Sequence, residues 1–589
     1  MNLRADHIYR TFLRLTRRLS NSQIMMLLAV VVGVLAGVGT YLFEMLLYGI
    51  KYGLTNWFPV DSAHILFLIY PAVGIILATL FVKYIVRDNI SEGVTRVLYA
   101  MSSRNSRIAG HNCWTSIVGG ATTIGFGGSV GPEAPIVLTG AAIGSNVGRI
   151  ARLNYKHTTL LLCCGAGAAL AAIFKAPITG VVFVLEILML DITAGSVIPL
   201  LIASITATTM AFMLRGFDPI LAVTLAPADA FELWQIPLFI LLGVCCGLMS
   251  WYFTSTNLRV STLFKKIDKQ YKKWIVGGTV LGVLIFIFPP LYGEGYEGFT
   301  SLMHGQAEKL FDNSLFYRFS DIDWVVILFV IATMFFKVIA MASTNAAGGV
   351  GGTFAPSLFV GAFTGASIAL LCNAFFDWDV SIVSFTLVGM AGVMKAPLTS
   401  IFLIAELSNG YGLFIPLMIT ACISFAVDYY LDPDSIYTKQ LRLRGELLTH
   451  DKDQSVFVFL KLDELMETDF LRIRENFTLG DIVHIISTAR RNIFPVIDNF
   501  GHLLGIIQLD DLREDMFKRE KYGHPISDYM IQPPDKILEH EAIQSVVQKF
   551  EDKHTWMLPV VDKQNRYMGF ISKSRILNAY REQLVKIQQ

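Results

Sequence analysis

One carboxylate, Glu133, sits among glycines and prolines in a stretch otherwise as apolar as a lipid-facing helix: Gly125 to Gly148 reads GFGGSVGPEAPIVLTGAAIGSNVG. Gly127, Gly128 and Gly131 let the backbone turn, and Pro132 presets the dihedral of a helix start. A helix beginning at membrane depth aims unpaired N–H groups and the positive end of its dipole at whatever lies in front, which favours an anion. An ionisable group at the same spot is a candidate gate, because intramembrane carboxylates are costly and line pathways. The structural alternative, that Glu133 is only a good first-turn residue, leaves the surrounding glycines unexplained. No His or Asp pairs with Glu133 in these motifs, which argues against an intramembrane acid catalyst and hence against an enzyme. There is also no metal-ligand spacing: the Cys163-Cys164 and Cys245-Cys246 pairs are vicinal, and all seven cysteines lie between Cys113 and Cys422.

The elements that position this carboxylate follow from hydropathy. With 589 residues, 53% of them hydrophobic, the chain is a polytopic membrane protein with something attached. A net charge of +1 says little about partners, because acidic and basic residues are segregated along the chain, and no part reads as a nucleic-acid surface. Residues 1–20 have the spacing of a basic amphipathic helix on the cytoplasmic membrane surface. Ile24 to about Tyr48 is the first span and Ile65 to Val86 the second. Apolar pieces follow near 114–124, 133–150, 159–173, 177–190 and 194–215, several too short for a bilayer that needs roughly 20 helical residues. Half-spans are tolerated only around a protein-lined or watery cavity, which is transporter or channel architecture. Longer spans return near 236–254 and 275–290, around a lysine-rich loop (Lys265 to Lys273) expected to be cytoplasmic. The acidic connection Tyr292 to Trp324 is expected to be external. Further segments lie near 325–342, 355–376, 380–393, 397–407 and 412–431.

The membrane part repeats itself. Glu133-Ala-Pro to Gly144 matches Phe354-Ala-Pro to Gly365, and the run Lys175 to Glu186 matches Lys395 to Glu406. The offsets are 221 residues (133 to 354) and 220 (175 to 395). Two halves with interrupted helices at matching positions place a site at their interface, near the membrane midplane. One half carries the titratable group, and the other offers the backbone loop Gly351-Gly352-Thr353-Phe354. Lys175 and Lys395 read as snorkelling cations near helix ends that could add positive potential. From Asp432 onward the composition is that of a soluble domain, which also repeats: Phe494-Pro-Val-Ile-Asp498 matches Leu558-Pro-Val-Val-Asp562, 64 residues on (494 to 558).

Over roughly residues 20–440 the chain resembles the CLC family of chloride channels and proton/chloride antiporters. Gly131-Pro-Glu-Ala-Pro135 is similar to the family's gating-glutamate motif and implies Glu133 as gate. Gly352-Thr-Phe-Ala-Pro356 is similar to its Gly-x-Phe-x-Pro element and implies that the Thr353 and Phe354 amides, with Gly131 close by, contact the central anion. Tyr437 matches the tyrosine that lends a hydroxyl. Two departures stand out. Where the family has an anion-contacting serine, the register gives Glu92, whose backbone would serve there, or Ser91 after a local shift. Where antiporters carry an internal proton glutamate, this chain has Ile187; Glu186 beside it, like Glu406, reads as a capping carboxylate. The tail resembles two CBS modules, whose ribose-binding element is incomplete in both copies: the first keeps Asp511 without the hydroxyl, the second Ser572 without the aspartate.

The sequence thus implies an all-α polytopic membrane protein with an internal, inverted repeat and broken half-helices, CLC-like, carrying a C-terminal cytoplasmic α/β CBS tandem. Its divisions are a basic helix (1–20), the transport domain (21–440), a linker (441–459), CBS 1 (460–518) and CBS 2 (524–585). The expected function is transport of chloride or a similar small anion through a pathway in each subunit of a homodimer. The pathway is coupled to proton counter-transport or, alternatively, is a passive channel; a CBS-regulated cation transporter is the remote alternative. The expected setting is the plasma (inner) membrane, multi-pass, with N-terminus and tail cytoplasmic. No cofactor is implied beyond an adenine nucleotide at the CBS pair.

Overall fold

A computed structural model describes most of the chain from Leu19 to Gln588. Residues 1–18, 57–62, 217–230, 434–438 and 440–459, with positions 89, 92, 104–105, 305, 313, 320–321, 377, 409, 461, 490 and 589, lie outside the described residues. The basic helix expected at 1–20 and the linker at 441–459 therefore fall largely or wholly outside them. The chain divides into two compact units, Met1–Leu447 and Leu448–Gln589.

The first unit is helical. It opens with α1 (Asn21–Asn56), α2 (Ala63–Leu80, continued by a π-helical turn to Val86), α3 (Gly93–Ser103) and α4 (Asn112–Gly125). Then come α5 (Glu133–Ile150), α6 (Tyr155–Phe174), α7 (Pro177–Glu186) and α8 (Ala194–Arg215). The second half holds α9 (Ile236–Lys265), α10 (Gln270–Ile287), α11 (Tyr296–Met303), α12 (Asp323–Ala347) and α13 (Phe354–Phe376), closing with α14 (Ile382–Met390), α15 (Pro397–Leu407) and α16 (Phe414–Leu431). Among the described residues eight helices are long and apolar enough to cross a bilayer. The short ones, α7 and α15, start where proline occupies the first turn and its missing N–H costs nothing.

One expectation changes. The span expected at 236–254 runs to Lys265, so the lysine loop shrinks to 266–269 and Lys272 and Lys273 begin the next helix. The polar residues from Ser255 to Arg259 are compatible with helix and lower only the hydropathy, which is why an apolar window stopped early. The acidic connection, expected to be external, carries α11 and buries Glu294 at 4% exposure.

Matching helix pairs pack at matching glycines. A Cβ on Gly140 would lie 2.1 Å from the Gly165 carbonyl oxygen, and one on Gly361 2.3 Å from that of Gly389, so α5/α6 and α13/α14 approach backbone to backbone.

The second unit is a tandem of α/β modules. Each has a three-stranded sheet in which a short first strand pairs parallel to the second and the second pairs antiparallel to the third: β1 (Ile473–Arg474), β2 (Ile493–Ile497), β3 (Leu503–Gln508), then β4 (Ile537–Leu538), β5 (Met557–Val561), β6 (Tyr567–Ser572). Each strand start recurs 64 residues on (473 to 537, 493 to 557, 503 to 567). Each module has its own core, around Phe494 and Val496 in the first and Leu558 and Val560 in the second.

Candidate functional site

The starts of α5 and α13 meet head to head. Gly131 N–H donates to the Gly352 carbonyl (3.0 Å) and Gly352 N–H to that of Gly131 (2.7 Å), a two-residue antiparallel bridge between the halves. The loops leading to it are held by the same exchange. Thr123 Oγ1 accepts from Val350 N–H (3.0 Å), and Thr344 Oγ1 accepts from Ser129 N–H (3.3 Å). Thr123 and Thr344 stand 221 residues apart (123 to 344), as do Gly128 and Gly349, so the repeat begins ten residues before the match read from Glu133 and Phe354. Such reciprocity is what a local two-fold relation between the halves produces.

Across this bridge lies Glu133, with no solvent exposure. Its Oε1 accepts from the Phe354 N–H at 2.6 Å, the Ala355 amide also faces it, and Oε2 has no hydrogen-bond partner in the protein among the described residues. The carboxylate thus occupies the place where an anion would meet the first amides of α13. Gly131 and Gly352 make room for it: a Cβ there would lie 1.9 Å and 1.8 Å from its oxygens. Phe354 presents its amide to this point and packs its ring against Phe174 and Phe183, centroids 5.7 and 6.4 Å away.

The remaining expected residues distribute unevenly. The Gly131 amide is consumed by the bridge, so that glycine shapes the site and does not donate to an anion. Thr353 precedes the helix and is half-buried, its carbonyl accepting from Ser357 N–H at 3.1 Å. Ser91 lies just ahead of α3, which abuts the first turn of α5: a Cβ on Gly93 would lie 2.1 Å from the Ala134 carbonyl oxygen. Glu92 and Tyr437 lie outside the described residues. Ile187 is buried at 7% exposure.

Glu186 and Glu406 cap each other's half. Glu406 accepts from Ile178 N–H (2.9 Å), Thr179 N–H (2.8 Å) and Thr179 Oγ1 (2.5 Å). Glu186 accepts from Leu398 N–H (3.0 Å), Thr399 N–H (2.7 Å) and Thr399 Oγ1 (2.6 Å). Each carboxylate satisfies first-turn donors of the other's short helix, α7 or α15, as expected of capping groups. The lysines are structural as well. Lys175 Nζ donates to the Gly216 carbonyl at 2.9 Å, and Lys395 Nζ to that of Asp432 at 2.8 Å while pairing with buried Asp428 at 3.1 Å.

The segment Tyr292–Tyr296 covers the glycine loop, and sequence reading missed this. Tyr292 Oη donates to the Gly125 carbonyl at 3.1 Å. Its ring fills the space a side chain on Gly127 would need, where φ is +94° and a Cβ would lie 2.3 Å from the ring. Glu294 pairs with Lys51 at 3.0 Å. Lys337, fully buried, donates to the Gly293 carbonyl at 3.1 Å and stands 4.9 Å over the Phe359 ring. The available signal was Glu294 itself, an acid between glycines in Tyr292-Gly-Glu-Gly-Tyr296, a spacing that allows a tightly folded segment.

In the tail, Asp511 is exposed on a short helix, Leu509–Leu512. Ser572 is committed: its Oγ donates to Glu467 Oε1 at 2.7 Å and accepts from Arg575 N–H at 3.2 Å. Glu467 in turn pairs with Arg491 at 2.8 Å.

Comparison with known proteins agrees with this geometry. The family model described as voltage gated chloride channel matches residues 73–429, and the CBS domain model matches 462–518 and 526–582. A putative chloride channel protein ClcB-like from Ralstonia nicotianae is 27% identical over 384 residues, 64% of this chain and 85% of that protein. The H(+)/Cl(-) exchange transporter ClcA of Vibrio cholerae is 27% identical over 433 residues, 70% and 88% of the two chains. In fold, the chain is similar to a slow cyanobacterial Cl-/H+ antiporter (TM-score 0.61, 23% identity, 71% of this chain and 97% of that one). It is also similar to a eukaryotic CLC transporter (TM-score 0.60, 16% identity, 94% and 99%). Matched by the family model over more than half its length, and built around two facing helix starts, the chain belongs to the voltage gated chloride channel family.

Proposed function

We propose that this protein moves chloride or a similar small anion across the plasma membrane, with Glu133 as the gate and one pathway in each subunit of a homodimer. The observation that carries this reading is the Glu133 carboxylate on the Phe354 amide. Ionised, it competes with an anion for that helix start; protonated, it loses the attraction and leaves. Helix-terminal amides hold an anion without a full countercharge, strongly enough to replace water and weakly enough to release the ion. Thr353, Phe354, Tyr437 and the 91–92 segment are the groups we assign to the anion's path. The N-terminus and the CBS pair lie on the cytoplasmic side, where the lysines from Lys265 to Lys273 also sit. The pair serves a structural or dimerising role, because the Ser572 hydroxyl is already spent on Glu467 and Arg575.

We assign proton-coupled exchange as the mode, supported by an ionisable gate and by the exchangers among the relatives. A passive channel is favoured by one observation: Ile187 cannot carry a proton, and Glu186 is tied by three hydrogen bonds. Proteoliposomes recording anion efflux and internal pH together separate the modes. Proton uptake driven by an imposed chloride gradient is the expected result, and anion flux with no proton movement means a channel.

A further inference from the structure

Beside the gate lies a cluster of charged residues that neither the repeat nor the anion path uses. A cavity of about 210 Å³ is bordered by Glu44, Tyr48, Lys51, Pro132, Arg215 and Tyr296, with Glu294 on the same wall. Its wall runs from Tyr48, which is 70% exposed, to Pro132, the buried residue before Glu133. Five separate pieces of chain build it: α1, the loop before α5, the end of α6 at Ile173, the end of α8 and the Tyr292–Tyr296 segment.

Its polar groups are incompletely matched. Glu44 pairs with Arg215 through Oε1, while Glu44 Oε2 and the Tyr296 hydroxyl have no hydrogen-bond partner in the protein among the described residues. A buried acceptor and a buried donor on the wall of one cavity are groups that water satisfies, and a water needs only about 30 Å³ of liquid volume. Tyr296 lies within electrostatic range of Glu294, Glu133, Glu44 and Arg215 alike, and it shares the cavity wall with Glu44 and with Pro132 next to Glu133. The charged groups around Glu44 are Arg215 and Lys175 from the first half, Glu294 from the covering segment, and Lys51 on its own helix. With Arg215 and Lys175 near, an ionised Glu44 is not a lone buried charge.

We propose that Glu44 is the group through which protons reach Glu133 from the face bearing the acidic connection, across the cavity that Tyr296 closes. This rests on Glu133 being the gate. The proton leaves the Glu44 carboxyl, passes along cavity water and ends on Glu133 Oε2, the oxygen that Phe354 does not hold. Glu44 remains a carboxylate beside Arg215 and is reloaded by a proton from that face.

The test uses the full-length protein in liposomes, with chloride efflux and internal pH followed across a range of pH. Glu44→Gln and Tyr296→Phe are measured with Glu133 present and again in a Glu133→Gln background; Tyr296→Phe keeps the ring and so guards against a folding defect. We expect each single variant to slow the proton-dependent part of the flux about tenfold, and neither to alter flux when Glu133 is already Gln. Wild-type rates in Glu44→Gln, or the same fractional loss in both backgrounds, would overturn the proposal, since the residues would then only shape the cavity. Failure of the gate itself has a separate signature: an unaltered pH profile in Glu133→Gln alone.

Discussion

At the residue scale the structure turns on what two glycines permit. Gly131 and Gly352 exchange hydrogen bonds and leave the volume in which the Glu133 side chain lies across the interface. Gly352→Ala should therefore expel the carboxylate, because the new Cβ would fall 1.8 Å from Oε1 and backbone cannot yield that far. Losing the charge-assisted bond to Phe354, about 1.5–3 kcal/mol, shifts occupancy of the helix start by about tenfold to a hundredfold. Anion flux at alkaline pH should rise accordingly in an efflux assay, whereas a wild-type pH profile in this variant would show that the carboxylate does not block there. A residue of the tail makes a prediction of a different kind. Hydrogen bonds from Lys521 (2.6 Å) and Lys518 (3.0 Å) hold the Asp515 carboxyl well below its ordinary value of 3.8. A depressed folded value means stability that is whole above the unfolded value and lost as pH falls through the folded one. Thermal melts of the 448–589 unit should thus lose an increment below about pH 4 that Asp515→Asn lacks at every pH; identical acid profiles would contradict this.

At the element scale the short helices α7 and α15 are stabilised from the opposite half. Each ends in a carboxylate that caps the other, so Glu186→Ala and Glu406→Ala should destabilise alike, by about 1–3 kcal/mol from the stranded amides. Thermal denaturation in detergent checks this. A loss at one site only, or loss of proton movement in Glu186→Gln without loss of stability, would point to a transport role instead. The short helices, the repeat and the glutamate at a helix start were legible because each is written locally: glycine and proline interrupt apolar runs, and matched runs keep their register. The reciprocal threonine exchange could have been read from Thr123 and Thr344, which share that register. What could not be read was the cover. Tyr292 on Gly127, Lys51 on Glu294 and Lys337 on Gly293 join segments far apart in sequence, and no periodicity encodes such pairings. The connection reads as external because its six acids stand against only Lys309 and Arg318, and that excess does not reveal the partners on α1 and α12 that bury part of it. The lengthened α9 was missed for a similar reason, since a hydropathy window sees the bilayer and not the helix that extends past it.

At the scale of the whole molecule both facing helix starts come from one chain, which supports the proposal of one pathway in each subunit of a dimer. A mixed dimer with one subunit blocked should keep about half its flux, because independent pathways add in the way uncoupled sites do; complete loss would mean a shared pore. The tail forms a separate compact unit with its own cores. The central claim is that an ionised Glu133 and the transported anion compete for the start of α13, and anion flux against pH in liposomes tests it most directly. Wild-type flux should fall as pH rises and the carboxylate claims the Phe354 amide, while Glu133→Gln should give a flat profile with no anion-driven proton movement. A Glu133→Gln protein whose flux still falls with pH as the wild type does would contradict the account.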